Sequence, residues 1–133
     1  MVDYQNLLKK AFEAMENAYA PYSNYAVGSC VLTKDNKWIM GANIENASYG
    51  LTNCAERNAI FSAYSMGYRK DDIEAIAIVS NGDLLAAPCG ACRQVLVELL
   101  HPETPIVLSN KKEEKITNMR ELLPMAFTSE DLK

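Results

Sequence analysis

The chain has 133 residues, 49% of them hydrophobic and 23% charged, which suits one domain (1–133) built around a single buried core. No apolar run approaches the roughly 18–20 residues that a bilayer span needs, and Met1-Val2-Asp3-Tyr4-Gln5-Asn6 does not look like a signal peptide, lacking a basic segment followed by an apolar core, so no membrane partner and a cytoplasmic protein are expected. The net charge of −4, with lysines and arginines scattered and the one dense run Lys111-Lys112-Glu113-Glu114-Lys115 mixed in sign, argues against a long nucleic-acid partner.

Residues 3–19 have the spacing of an amphipathic helix, with Leu7, Leu8, Ala11, Met15 and Ala18 on one side and Pro21 ending it in the turn Ala20-Pro21-Tyr22-Ser23. Tyr25 to Thr33 and Trp38 to Ile44 are expected as strands joined by the hairpin turn Lys34-Asp35-Asn36-Lys37. Residues 45–53 form a polar loop. Asn53 is placed to cap a helix over about 54–66, and Gly67 suits its end. Ile73 to Ser80 is a buried strand. Pro88 precedes a helix over about 90–100, which Pro102 stops. Ile106 to Ser109 and Lys115 to Thr117 are further strands, Met119 to Leu123 a helical turn, and the tail from Pro124 to Lys133 holds one aromatic, Phe127. Strands alternating with helices predict an α/β sheet with helices on both faces.

Four cysteines are present: Cys30, Cys54, Cys89 and Cys92. In a cytoplasmic chain clustered thiols point to metal ligation or catalysis rather than disulfides. Cys54-Ala55-Glu56 and Pro88-Cys89-Gly90-Ala91-Cys92 fall at two expected helix starts, where negative charge is stabilised and thiols ionise more readily. Three thiolates can hold one zinc ion and leave its fourth tetrahedral position for water, the pattern of a catalytic site. Glu56 can then sit over the open position, take a proton from the water and pass it to a substrate. Three thiolates and a divalent zinc leave one negative charge, which a nearby cation should offset. Arg57 is the first candidate for that role and Arg93 the second.

A structural zinc site would need a fourth protein ligand. His101, the only histidine, lies at the far end of the second helix from the thiols and reads as a surface or capping residue. Cys30 stands mid-strand among Gly28, Ser29 and Val31 and reads as a small core residue. A zinc-stabilised interaction module, the rival from another class, requires Cys30 as a ligand.

Cys54-x-Glu56 with Pro88-Cys89-x-x-Cys92 is the three-cysteine form of the zinc nucleobase deaminase signature. With Ala20-Pro21-Tyr22-Ser23, Asn43-Ile44-Glu45-Asn46-Ala47, Asn53-Cys54-Ala55-Glu56-Arg57, Pro88 to Gln94 and Leu122-Leu123-Pro124, the chain resembles the small homotetrameric cytidine deaminases along nearly its whole length. The resemblance implies a three-layer α/β/α domain with a central mixed sheet of about five strands and one zinc ion per subunit. It also implies hydrolytic deamination of cytidine and 2′-deoxycytidine in pyrimidine salvage. Glu56 is then catalytic and Cys54, Cys89 and Cys92 are the metal ligands.

The resemblance also assigns the substrate contacts. Asn43 and Glu45 would bind the ribose hydroxyls, and the carboxylate would repel a 5′-phosphate, favouring a nucleoside over a nucleotide. Tyr25, at a position often held by phenylalanine, would pack on the pyrimidine. The backbone of Ala55 would meet the pyrimidine carbonyl. Phe127 would reach a neighbouring subunit's site, and Tyr49 would lie near the subunit boundary. A deaminase of another aminopyrimidine nucleoside, such as blasticidin S, is the nearest rival. The stretch Asn43 to Asn46 favours cytidine over it by supplying ribose partners. Nucleic-acid-editing deaminases are disfavoured by the acidic charge and the lack of a basic arm.

Overall fold

Asp3 caps the first helix, α1 (Tyr4–Met15), its carboxylate accepting the Asn6 N–H at 3.1 Å, in the computed structural model, which describes residues 2–133. Leu7, Leu8, Ala11 and Ala14 form its buried face. The helix stops four residues short of the expected end. Tyr19 instead lies extended beside Ile44, donating its N–H to the Asn43 carbonyl at 2.9 Å and accepting that of Glu45 at 2.8 Å. Long-range backbone bonds here outweigh helix propensity, which is a weak preference of under about 1 kcal/mol per ordinary residue.

β1 (Val27–Thr33) and β2 (Trp38–Ala42) form the expected antiparallel hairpin, with Asn36 in the turn at a φ of 64°. Both strands are two residues shorter than their pattern suggested, because Tyr25, Ala26, Asn43 and Ile44 serve loops. β1 pairs antiparallel with β3 (Ile73–Ser80), β3 parallel with β4 (Ile106–Ser109), and β4 antiparallel with β5 (Glu114–Thr117). The sheet is therefore mixed and five-stranded, in the order β2-β1-β3-β4-β5.

Alternate residues of a strand face opposite sides. Cys30, Leu32, Ala75, Ala77, Val79 and Val107 pack with Leu7, Leu8 and Ala11 of α1. Val27, Val31, Ile76, Ile78, Ile106 and Leu108 pack on the other face with α2 (Ala55–Ser65) and α3 (Gly90–Leu99), through Ala55, Ala59, Ile60, Ala63 and Leu96. The result is the three-layer α/β/α arrangement. α4 (Met119–Leu122) is a single turn that buries Met119. Short 3₁₀ turns at Tyr49–Leu51, Lys70–Asp72 and Ser129–Leu132 had no signal in the pattern. Among the described residues no helix is long and apolar enough to cross a membrane.

Gly41 sets how closely α2 approaches the sheet. A Cβ there would fall 2.5 Å from the Ala59 nitrogen and 2.6 Å from the Ala55 carbonyl oxygen. Only glycine lets the first turn of α2, which carries Glu56, lie directly on β2.

Candidate active site

The starts of α2 and α3 meet on one face of the sheet. Cys54 is the residue that caps α2, and Cys89 caps α3 with its sulfur accepting the Cys92 N–H at 3.4 Å. Asn53, the expected cap of α2, does not take that place. Its amide donates instead to the Asn58 side chain at 2.6 Å, and Asn58 donates to the Ala42 carbonyl at 2.7 Å. This chain of bonds ties the Cys54 loop to the end of β2.

The sulfurs of Cys54, Cys89 and Cys92 all lie within 4.8 Å of one another, at 3.9 Å for Cys54 to Cys89 and 3.4 Å for Cys89 to Cys92. Thiolates bound tetrahedrally to zinc at about 2.3 Å stand about 3.8 Å apart, so the donor set fits that ion. Cys30 is not part of the cluster. It is fully buried on the α1 face of the sheet, and desolvation pushes its thiol up to about 12. The structural-module reading, which needs Cys30 as a ligand, is overturned by that placement.

A hydrogen bond from Cys92, together with the Arg57 guanidinium, holds the Cys54 thiol down to about 5. Cys92 is pushed up by its bond to Cys54 and by burial, so the pair keeps a proton that a bound cation would displace. Arg57 Nη2 lies 3.4 Å from the Cys54 sulfur, and its buried Nε has no hydrogen-bond partner. Arg93 does not approach the thiols. It donates to the Pro88 and Leu122 carbonyls, both at 2.7 Å, bracing the loop before α3. Of the two expected cations, only Arg57 touches one of the three clustered sulfurs. His101 contacts the Asp71 carboxylate on the surface at the far end of α3.

Glu56 is only 4% exposed, and burial raises its carboxyl to about 6. It lines a cavity of about 290 Å³ together with Cys54, Cys89, Ala55, Tyr25, Asn43 and Glu45. The remaining walls are Ser23, Thr52, Val27, Ile78, Ala86 and Ala87.

The chain matches the family model for the cytidine and deoxycytidylate deaminase zinc-binding region over residues 1–108. It is 53% identical over 133 residues to a cytidine deaminase of Halalkalibacterium halodurans, with 98% of each chain covered. The chain belongs to the cytidine deaminase family. Another relative, the cytidine deaminase of Sporosarcina psychrophila, is 42% identical over 132 residues, covering 98% of this chain and 96% of the relative. Among solved structures, the cytidine deaminase of Burkholderia pseudomallei superposes with a TM-score of 0.89 at 48% identity, covering 96% of this chain and all of the other. That of Mycobacterium leprae gives 0.77 at 42%, covering 94% and 100%.

Within this cytidine deaminase fold, the residues expected to read substrate are placed unequally. Tyr25, Asn43, Glu45 and Ala55 share the cavity with Glu56. Asn43 is also a strut: its Oδ1 accepts the Val27 N–H at 2.9 Å and its Nδ2 donates to the Tyr25 carbonyl at 2.8 Å. As the first residue of α2, Ala55 has an N–H with no partner inside the helix. Tyr49 stands apart on a 3₁₀ turn, edge-on to Tyr22 with ring centroids 6.1 Å apart, beside a second hollow lined by Tyr22, Ser23, Glu45 and Thr52. Phe127 does not enter its own chain's cavity; Gln94 holds its carbonyl at 2.7 Å and its side chain is exposed. Val27 and Ile78 were missed as lining residues although strand alternation puts them on the α2 face. Thr52, Ala86 and Ala87 lie in loops and carried no such signal.

Proposed function

We propose that this chain hydrolyses cytidine and 2′-deoxycytidine to uridine and 2′-deoxyuridine with release of ammonia. The observation that carries the reading is the meeting of three thiols beside one buried carboxyl in a nucleoside-sized cavity. Cys54, Cys89 and Cys92 would hold zinc, which when bound would act as a Lewis acid and lower the pKa of a water from about 15.7 toward about 7. Glu56 moves the protons. Its carboxylate takes one from the attacking water and delivers it to ring N3 of the base, which makes C4 electrophilic. Hydroxide adds at C4. The second proton travels by the same carboxyl to the exocyclic nitrogen, the C4–N bond breaks and ammonia leaves. A carboxyl held near 6 by burial suits both directions of transfer near neutral pH.

The other side chains bind and orient. Tyr25 supplies a ring face for the pyrimidine, and the free N–H of Ala55 meets its carbonyl. Asn43 and Glu45 take the ribose hydroxyls, and the charge of Glu45 disfavours a 5′-phosphate. Arg57 offsets the excess negative charge of the three thiolates. The assembly is a homotetramer in which Phe127 of one subunit reaches a neighbour's cavity and Tyr49 lies at the boundary; the exposure of both rings supports this. The cysteines are all free, which suits a reducing cytoplasm and a role in pyrimidine salvage.

An absorbance assay for loss of the cytosine chromophore tests the reading. Cytidine turnover is expected with zinc present, abolition by a chelator, and recovery when zinc is returned. Undiminished turnover by metal-stripped protein, or none by zinc-loaded protein, overturns it.

A further inference from the structure

The turn Ala20-Pro21-Tyr22-Ser23 holds no part in the chemistry described so far, yet its polar groups converge on Glu45. The N–H groups of Tyr22 and Ser23 donate to Glu45 Oε1 at 3.0 and 3.2 Å, and the Ser23 hydroxyl donates to Oε2. The same Ser23 oxygen accepts the Tyr25 N–H at 3.0 Å. The Tyr25 carbonyl in turn accepts from Asn43 at 2.8 Å. One path of hydrogen bonds thus joins Glu45, Ser23, Tyr25 and Asn43, and all four line the cavity.

An ionised carboxylate offers about four acceptor positions. Three of those on Glu45 are occupied by the turn, which leaves one, on Oε2, for a substrate hydroxyl. The bond from Ser23 also holds the Glu45 carboxyl below its ordinary range, so that it stays charged in weak acid.

We infer that Ser23 is a positioning residue for sugar recognition: it aims the single free acceptor of Glu45 at a ribose hydroxyl. The inference rests on the sugar-binding reading of Glu45. A turn that is merely structural would affect every substrate alike. A residue acting through Glu45 affects only substrates whose sugar edge carries hydroxyls.

The test compares zinc-loaded wild type, Ser23→Ala, Ser23→Thr, Glu45→Ala and the Ser23→Ala/Glu45→Ala double variant on cytidine and 2′,3′-dideoxycytidine. Ser23→Ala removes the donor to the charged Glu45 and also the acceptor of the Tyr25 N–H, which is exposed and can bond water instead, so it should raise KM for cytidine about tenfold, with kcat and the KM for the dideoxy substrate within about twofold of wild type. Ser23→Thr, which keeps the hydroxyl, should restore the cytidine KM. Adding Ser23→Ala to Glu45→Ala should change nothing further. Equal losses on both substrates, or full additivity in the double variant, overturn the inference. If Glu45→Ala raises the cytidine KM and Ser23→Ala does not, the inference alone fails. If Glu45→Ala leaves that KM unchanged, the sugar-binding reading fails and takes the inference with it. Should Ser23→Ala prove unstable by thermal melting, Ser23→Cys, a weak donor of similar size, carries the same comparison.

Discussion

Glu56 is a carboxyl group denied most of its water. At 4% exposure it is held near 6, with Cys54 two residues before it along the chain and Arg57 immediately after it. Replacing it by glutamine keeps the size and much of the hydrogen bonding but removes the ability to carry a proton. Glu56→Gln is expected to retain one zinc per chain by metal analysis and to lose about 10²–10⁴ in kcat, the range that general acid–base catalysis supplies. Wild-type turnover by that variant would remove Glu56 from the proposed mechanism. The residue scale also separates two arginines that the sequence left as first and second choices. Both follow a cysteine of the cluster closely, but only Arg57 turns back to a sulfur, while Arg93 is spent on two carbonyls of the neighbouring chain segments.

At the scale of elements, the site depends on how α2 and α3 are seated on the sheet. Their N-termini bring Cys54 and Cys89 together although 35 residues separate them. The contact at Gly41 controls half of that seating, because the backbone of Ala55 and Ala59 lies where a side chain would go. Gly41→Ala must push α2 outward, and Cys54 and Glu56 move with it. A destabilisation of about 1–3 kcal/mol is expected from such overpacking, seen as a lower melting temperature, together with weaker zinc retention in competition with a chelator. An unchanged melting temperature and unchanged zinc retention would show that the helix is not constrained there. The run from Ile73 to Ser80 was readable residue for residue, since the five apolar residues Ala75 to Val79, rich in β-branched side chains, have one plausible fate in an α/β sheet. The end of α1 was not readable, because Tyr19 leaves the helix for a partner, Ile44, that is remote in sequence.

Across the whole molecule, exposed apolar side chains are concentrated around the loops and the tail. Tyr49 is 76% exposed, Leu51 72% and Phe127 59%. Single exposed apolar residues are ordinary, but rings as exposed as Tyr49 and Phe127 are suited to burial against another copy. The proposed tetramer predicts a sedimentation mass of four chains at micromolar concentration and a reduced mass for Phe127→Ala or a loss of cytidine affinity in that variant. A wild-type chain that sediments as a monomer at every concentration would exclude a site completed by neighbouring subunits.

The sequence by itself determined the fold class, the alternation of strands and helices, and the three thiols that could hold a metal together with the carboxyl proposed to work beside them. These depend on local spacing, such as two thiols one helical turn apart and a glutamate two residues beyond a cysteine, which a linear pattern can express. Only the tertiary structure decided that Cys30 lies on the opposite face of the sheet, that Asn53 bonds Asn58 rather than capping α2, that Arg57 and not Arg93 meets the sulfurs, and that Ser23 holds Glu45. Each of those outcomes is a competition among hydrogen-bond and packing partners, most of them far apart along the chain. Such competitions are settled by which groups the fold brings within about 3 Å, a quantity that residue type and periodicity do not contain.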